Sequence, residues 1–241
     1  ERPNRAGVRL RTGRTNVISL VMATEHDMMN HTARLISSVT SALRGTPYHM
    51  IITPYFPDED PMVPIRYIVE TGSADGLIIN QIEPEDPRVH YLMKNKFPFV
   101  THGRTAMCEK HAYFDYDNTA FGGLAVRALA RRGRTRIAML APPASQTYAQ
   151  SMMAGAQAAA DELGVSFSTI AGADAHCDNP VIAQAIVPIY RRSEPPDGLL
   201  ATSIGGCVTM ISAVAQLGLA LGQGFDMVAK EAITFLRRFR S

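Results

Sequence analysis

The chain has no tryptophan, only three cysteines and no long apolar run, and each shortage closes off a class of protein. Cys108, Cys177 and Cys207 are odd in number and far apart, so they suit a reducing cytoplasm better than a disulfide framework. No pair of them has metal-ligand spacing. His26 and His31 are five residues apart, which puts them on different faces of a helix, so no metal is expected. No uninterrupted apolar stretch approaches the roughly 18 residues of a membrane span. The charged first residues are not followed by the apolar core of a secretory signal. Because the chain opens at Glu1 rather than Met, a removed upstream segment stays open, a signal peptide included. Catalytic signatures are missing as well: there is no Gly-x-Ser-x-Gly elbow, no phosphate-binding loop behind the first strand and no Cys-His pair in a recognisable context. Gly218 and Gly224 have a suggestive spacing but lie near a helix end without the lysine. Neither an enzyme nor a cofactor is expected.

A large excess of charge of one sign is lacking too. The net charge is +2, but it is unevenly spread. Among residues 1–14 five arginines face only Glu1, which leaves +4 there and −2 over the rest. Only this segment is basic enough to meet a polyanion. A solvated tail would carry the same charge, and charge alone does not separate the two readings. The Arg131-Arg132-Gly133-Arg134 run reads as a helix C-terminus complementing its dipole.

What is present is an ordinary globular composition, 46% hydrophobic and 19% charged over 241 residues, enough for one large or two small domains. Short apolar runs at Val17–Ala23, Met50–Pro54, Gly76–Ile79, Phe99–Thr101, Ile137–Ala141 and Gly198–Ala201 read as buried strands. Helical patterns lie between them at Thr32–Leu43, Phe121–Ala130, Ala149–Leu163 and Cys207–Leu217. Such alternation predicts α/β architecture, parallel sheets with crossover helices. There is also an internal echo. Arg14–Val21 is similar to Arg134–Ala141, and Ala74–Asn80 to Pro196–Thr202, at nearly one offset. Two similar doubly wound domains follow, with a ligand cleft expected beyond the carboxyl ends of their strands. Polar segments stand just there: Thr24-Glu25-His26-Asp27, Asn80-Gln81, Thr101-His102-Gly103-Arg104 and Ser145-Gln146-Thr147-Tyr148.

The N-terminus is more specific. Pro3-Asn4-Arg5-Ala6-Gly7-Val8-Arg9-Leu10, running through Gly13-Arg14-Thr15 into the first strand, resembles the junction of the LacI/GalR transcription-regulator family. The resemblance continues through Phe114–Asn118, Gly122, Arg132-Gly133-Arg134, Gly155, Leu163-Gly164, Pro196–Leu199, Leu217–Leu219 and Gly224–Asp226. It implies a periplasmic-binding-protein-like effector domain whose helix-turn-helix headpiece lies upstream and reads a palindromic operator as a dimer or higher oligomer. Residues 1–14 would be the hinge, 15–143 the first subdomain and 144–241 the second. Leu10 would wedge into the minor groove while Arg5 and Arg9 neutralise phosphates. Gly7 stands where a better helix former is usual and weakens that helix by about 1 kcal/mol relative to Ala. Alternatively, Leu10 is simply the first core contact of the domain.

The same resemblance implies a cytoplasmic sugar-responsive regulator, expected to be a repressor, with Asp117 and Asp226 accepting sugar hydroxyls. Asp117 could equally be an N-cap. The family's arginine ahead of Gly155 is replaced by Gln150 or Met152, and its Asn-Asp pair by Ser203-Ile204. Candidate pocket residues are therefore Asp117, Asp226, Phe225, His102, Arg104, Glu25, Asp27, Tyr148, Gln150 and Ser203. His102 and Arg104 would replace the lost donors, and Tyr55, Phe56, Tyr148 and Phe225 could face a pyranose ring. After Asp226 only a helical Val228–Phe239 stretch is expected, shorter than the family's closing segment. A periplasmic sugar-binding protein is the alternative, to be recognised by a signal peptide instead of a helix-turn-helix upstream.

Overall fold

The structure is a computed structural model that describes residues 12–24, 29–56 and 58–230. The chain divides into two compact α/β units that meet in sequence between Tyr116 and Asp117. In chain order the first contains β1 (Val17–Ala23), α1 (Met29–Ala42), β2 (His49–Tyr55), α2 (Met62–Thr71), β3 (Gly76–Ile79), α3 (Pro87–Lys94), β4 (Phe99–His102) and β5 (Tyr113–Phe114). A single 3-10 turn, Cys108–Lys110, precedes β5. The second contains α4 (Asn118–Ala130), β6 (Arg136–Leu140), α5 (Thr147–Leu163), β7 (Ser166–Thr169), α6 (Asn179–Tyr190), β8 (Gly198–Ala201), α7 (Ile204–Ala215) and β9 (Asp226–Ala229).

Every strand pairing is parallel. The orders are β2-β1-β3-β4-β5 and β7-β6-β8-β9, so both sheets reverse direction of growth beside their first strand. A parallel strand is buried on both faces and reads as a continuous apolar run. Hence Val-Ile-Ser-Leu-Val-Met-Ala forms β1, and Gly-Leu-Leu-Ala, buried throughout, forms β8.

Two expectations change here. The boundary expected at residue 143 moves to 116/117, because β6 pairs with β7 and β8 and is the founding strand of the second sheet. The helix expected from Val228 gives way to strand β9, whose Asp226–Ala229 pairs residue by residue with Gly198–Ala201. Residues 231–239 of that expected helix lie outside the described residues.

The internal echo is a shared clamp. Asp75, just before β3, accepts hydrogen bonds from the Thr15 backbone and hydroxyl and from the Asn16 backbone, at 2.8, 2.8 and 2.9 Å. Asp197, just before β8, accepts from the Thr135 backbone and hydroxyl and the Arg136 backbone, at 3.0, 3.3 and 2.8 Å. The first unit carries one extra residue after its clamp. His49 N donates to Asn16 O there, whereas Ser166 N donates to Thr135 O in the second unit. Asn16 absorbs the extra residue by taking a left-handed φ of 53°, a conformation that Asn tolerates better than most residues.

The cores differ. The first sheet buries Val21, Ile65, Ile68, Leu77, Ile79, Val89 and Leu92 in one cluster formed with α2 and α3. The second is packed on both faces: Leu140, Ile186, Leu199, Met210 and Phe225 on one side, Val126, Leu129, Ile137 and Ala156 on the other. On that second side α4 and α5 approach through Gly122 and Gly155. A Cβ on Gly155 would run into Thr119 O, and one on Gly122 into Met152 O, so neither position has room for a side chain.

Candidate functional site

In open parallel sheets ligands bind beyond the carboxyl ends of the strands, where the strand order reverses. That edge of each unit is therefore where chemistry is to be sought.

In the first unit, Asn80 follows β3 at the reversal point. It is 3% exposed, and its Oδ1 is buried without a hydrogen-bond partner. Beneath it Arg88, itself buried, donates to the carbonyls of Asn80 and Gln81 at 3.1 and 2.9 Å and pairs with Asp86 at 2.6 Å. Burial pulls the Arg88 pKa down, but the hydrogen bond and charge of Asp86 outweigh it and raise it above its ordinary value. The pair fixes the turn that carries Asn80.

Further along the same edge, β4 and β5 bring His102 against Phe114 and Tyr116, with ring centroids 5.8 and 6.0 Å away. Phe114 and Tyr116 meet each other edge to face at 5.5 Å. Arg104 takes the alternate residues of the 113–116 segment: its guanidinium lies 5.2 Å over Tyr113 and 3.8 Å from Asp115. Arg104 thus braces β5 from one face while His102 packs on the other.

In the second unit the edge is polar. Lys230, the residue after β9, donates to Asn118 Oδ1 at 3.1 Å and lies 5.0 Å over the Tyr148 ring. Tyr148 Oη is 3.2 Å from His176 Nε2. In the first turn of α5, Gln146 Oε1 and Thr147 Oγ1 are buried with no partner. The N-cap, Gln146, contributes no side-chain capping bond. Thr202, after β8, spends its hydroxyl on Leu140 O at 2.9 Å.

Other expected residues fall elsewhere. Asp226 opens β9 at the amino end of the sheet, 2.8 Å from Arg132 and 2.7 Å from Arg134. The hydrogen bond from Arg132, aided by Arg134 and opposed by burial, holds its carboxyl below the usual carboxylate range. It locks strand to turn at the end opposite the ligand edge, and the position after the strand belongs to Lys230. Arg132 and Arg134, just past the C-terminus of α4, thus also form an ion cluster with this carboxylate. Phe225 is fully buried against Tyr190, with ring centroids at 6.3 Å, and is core. Asp117 caps α4, accepting from Ala120 N at 2.8 Å. Ser203 likewise caps α7, accepting from Gly206 N at 3.1 Å. Gln150 is exposed and donates to Ala144 O, while Met152 is buried. Glu25, Asp27 and the hinge residues Arg5, Arg9 and Leu10 lie outside the described residues. The cysteines Cys108, Cys177 and Cys207 form no disulfide, and burial pushes the Cys207 thiol up to about 11. Among the described residues no three His, Cys, Asp or Glu side chains group as metal ligands, and no helix is long and apolar enough to cross a membrane.

Residues 16–233 match the family described as periplasmic binding proteins and sugar-binding domain of the LacI family. The chain belongs to the LacI/GalR family, as an effector-binding domain. This LacI/GalR domain is 27% identical over 235 residues to the HTH-type transcriptional regulator AglR of Rhizobium meliloti (strain 1021), covering 96% of the chain and 66% of that protein. It is 33% identical over 149 residues to the regulator RafR of Escherichia coli, covering 61% of the chain and 44% of RafR. The domain thus spans less than two thirds of either regulator. A structure described as a transcriptional regulator from Yersinia pestis biovar Microtus superposes with a TM-score of 0.74 at 29% identity, over 90% of this chain and 78% of that one. These relatives are transcriptional regulators, not enzymes, and the two-sheet architecture of the LacI/GalR domain is theirs.

Lys230, Asn118, Phe114 and Tyr116 are the edge residues that sequence reasoning misses. For Lys230 the available signal is the short apolar run Met227–Ala229, which marks a strand end; for the aromatics it is the Tyr-Phe-x-Tyr alternation at 113–116.

Proposed function

We propose that the protein is a sugar-responsive transcriptional regulator, acting as a repressor, in which the described units hold the effector and a DNA-binding headpiece reads the operator. The observation that carries this reading is a pair of buried amide oxygens, Asn80 Oδ1 and Gln146 Oε1, left without partners at the carboxyl edge of each sheet. An unsatisfied buried polar atom costs about 1–3 kcal/mol, and native proteins leave few of them. Both atoms are acceptors, so each asks for a donor. Sugar hydroxyls donate, and Lys230, Asn118 and Tyr148 add further hydrogen-bonding groups beside Gln146.

The hinge residues Arg5, Arg9 and Leu10 would meet DNA, the first two at phosphates and the third in the minor groove. A homodimer matches a palindromic operator. The effector shifts operator binding only by its differential affinity for the two conformations, and a near-complete switch takes about 5 kcal/mol of preference. No cofactor or catalytic step enters, and the setting is the cytoplasm.

The test is an operator titration of the intact gene product, using DNA from upstream of its own gene, with and without monosaccharides, disaccharides and sugar alcohols. Salt-sensitive binding reversed by one sugar is expected. Tight sugar binding without DNA affinity under any condition would replace this reading with that of a transport binding protein.

A further inference from the structure

The two edges of the first sheet differ in sign. The loops that leave the carboxyl ends of β2 and β3 carry Asp58, Glu59 and Asp60, and Glu83, Glu85 and Asp86. The turns that enter the strands at the amino end carry Arg14 before β1, Arg44 before β2, and Lys94 and Lys96 before β4, all exposed. With neighbours in the order β2-β1-β3-β4 these cations stand in one row, about 14 Å long at the usual strand spacing. Of the acids on this edge, Asp75 has its oxygens taken up by Thr15 and Asn16. Among the described residues no carboxylate pairs with the side chains of Arg44, Lys94 or Lys96. At the corresponding edge of the second unit, Arg132, Arg134 and Arg136 are each paired with Asp226 or Asp197. Lys96 carries a further sign. It follows the cap of α3 with a φ of 52°, where its N–H donates to Met93 O and that of Phe97 to Leu92 O. Glycine is the ordinary residue at such a left-handed helix end, and a side chain there is strained. Lys96 is exposed, so packing does not account for it. Complementing a helix dipole suits Lys94 and Arg44, but not Arg14, which leads into a strand.

We propose that this amino edge is a second DNA-binding surface, in which Arg14, Arg44, Lys94 and Lys96 hold phosphates of the duplex whose bases an upstream headpiece reads. The proposal rests on the regulator reading above and adds a DNA contact made by the effector domain itself. Two observations choose the partner. The chain enters β1 from this edge, directly after residues 1–14, where five arginines face one glutamate, so the row continues the most basic segment of the sequence. Exposed cations set out along a line also suit a polyanion better than a compact acid. B-DNA carries one negative charge per about 1.7 Å of axis, so a row about 14 Å long spans several phosphates. Such contacts position the protein and read no bases.

The test is a salt titration of operator binding by the intact gene product, comparing the parent with Arg44→Gln, Lys94→Gln and Lys96→Gln, singly and together. Each single variant should lose about fivefold in affinity at about 0.15 M salt and lower the slope of log affinity against log salt by about 1. The loss should be the same factor on operators that differ in base sequence. Lys96→Gly separates fold from function. It relieves the left-handed backbone, so it should unfold at no lower temperature than the parent while losing operator affinity as Lys96→Gln does. Arg191→Gln with Arg192→Gln removes as much charge from the amino edge of the second unit as Arg44→Gln with Lys96→Gln removes from the first, and should leave operator affinity alone. Full affinity and an unchanged slope in the triple variant overturn the surface and leave the regulator reading intact. Equal losses from the second-unit pair do the same, because net charge rather than place would then be acting. Lower unfolding temperatures with operator affinity kept assign these side chains to helix ends and also overturn it. A parent that binds no operator at any salt concentration overturns both readings.

Discussion

The two units share a frame and differ in what they hang on it. Each is clamped at its amino edge by an aspartate reaching back to a threonine, and each grows in the same strand order. At the carboxyl edge the first presents rings and the second presents a lysine, two amides and hydroxyls. The amino edge is duplicated and the carboxyl edge is not. Similarity between the units is therefore a guide to structure, and divergence between them a guide to function.

The sharpest break in the comparison is made at Gly155. In the second unit α4 and α5 touch backbone to backbone, so Gly155→Ala drives a methyl into Thr119 O and forces the helices apart. A loss of about 3 kcal/mol or more is expected, read by urea unfolding, with faster amide exchange confined to the second unit. Gly123→Ala, one residue along from the Gly122 contact, meets Gly155 O at 3.4 Å and Ala159 Cβ at 3.9 Å, ordinary contacts, and should be nearly neutral. Equal effects from the two would mean that the close approach is not tight.

The clamps come next. Asp75→Asn turns an amide N–H toward one of the backbone donors, Thr15 N or Asn16 N, and should cost about 2 kcal/mol; Asp197→Asn should cost a similar amount in the other unit. Burial would raise the Asp75 carboxyl, but the hydrogen bonds from Thr15 and Asn16, with the charge of Arg14, outweigh it and hold it below its ordinary value. A carboxyl lowered in the folded state contributes stability above its unfolded value, about 3.9, and loses that contribution as pH falls through the folded one. Acid unfolding below about pH 4 should accordingly be shallower in Asp75→Asn than in the parent. Identical acid profiles would remove Asp75 from the account.

A smaller effect separates the two ends of β9. Asp226→Asn should weaken the second unit by about 1–2 kcal/mol through the loss of Arg132 and Arg134, with effector affinity unchanged. Lys230→Gln should do the reverse, lowering effector affinity several-fold and leaving the melting temperature alone. If Asp226→Asn abolished effector binding in a stably folded protein, the ligand would reach the amino edge and the assignment of the two ends would be inverted.

How much of this is legible in the sequence depends on burial. Val17–Ala23, Gly76–Ile79 and Gly198–Ala201 are legible to the residue because strands buried on both faces leave uninterrupted apolar runs. The edge strand Ser166–Thr169 is invisible because one polar-rich strand with little burial carries no such pattern. Asp226–Ala229 is misread because four residues running into a helical pattern offer no turn to stop it, and with β9 the place of Lys230 at the carboxyl edge is lost. The places of His102, Arg104 and Tyr148 at the carboxyl edges are legible from their positions at or after strand ends. Phe114 and Tyr116 are not, because β5 is two residues long and periodicity needs more than that. The resemblance places Asp226 and Phe225 at the ligand, whereas the structure places Asp226 at the amino end of β9 and Phe225 in the core.

Asp117 is the finest test of the distinction between frame and site, because capping and sugar binding ask for the same residue type. Asn caps a helix as well as Asp, whereas Ala costs about 1 kcal/mol. As the cap of α4, Asp117 accepts from Ala120 N and is exposed to solvent. Asp117→Asn should leave both stability and effector affinity within error, and Asp117→Ala should lower stability by about 1 kcal/mol with affinity preserved. Calorimetry and thermal unfolding on the same two proteins decide it. A loss of affinity in Asp117→Asn at unchanged stability would show a carboxylate acting on the ligand, and would extend the site of the second unit from Lys230 and Asn118 to the capping residue beside them.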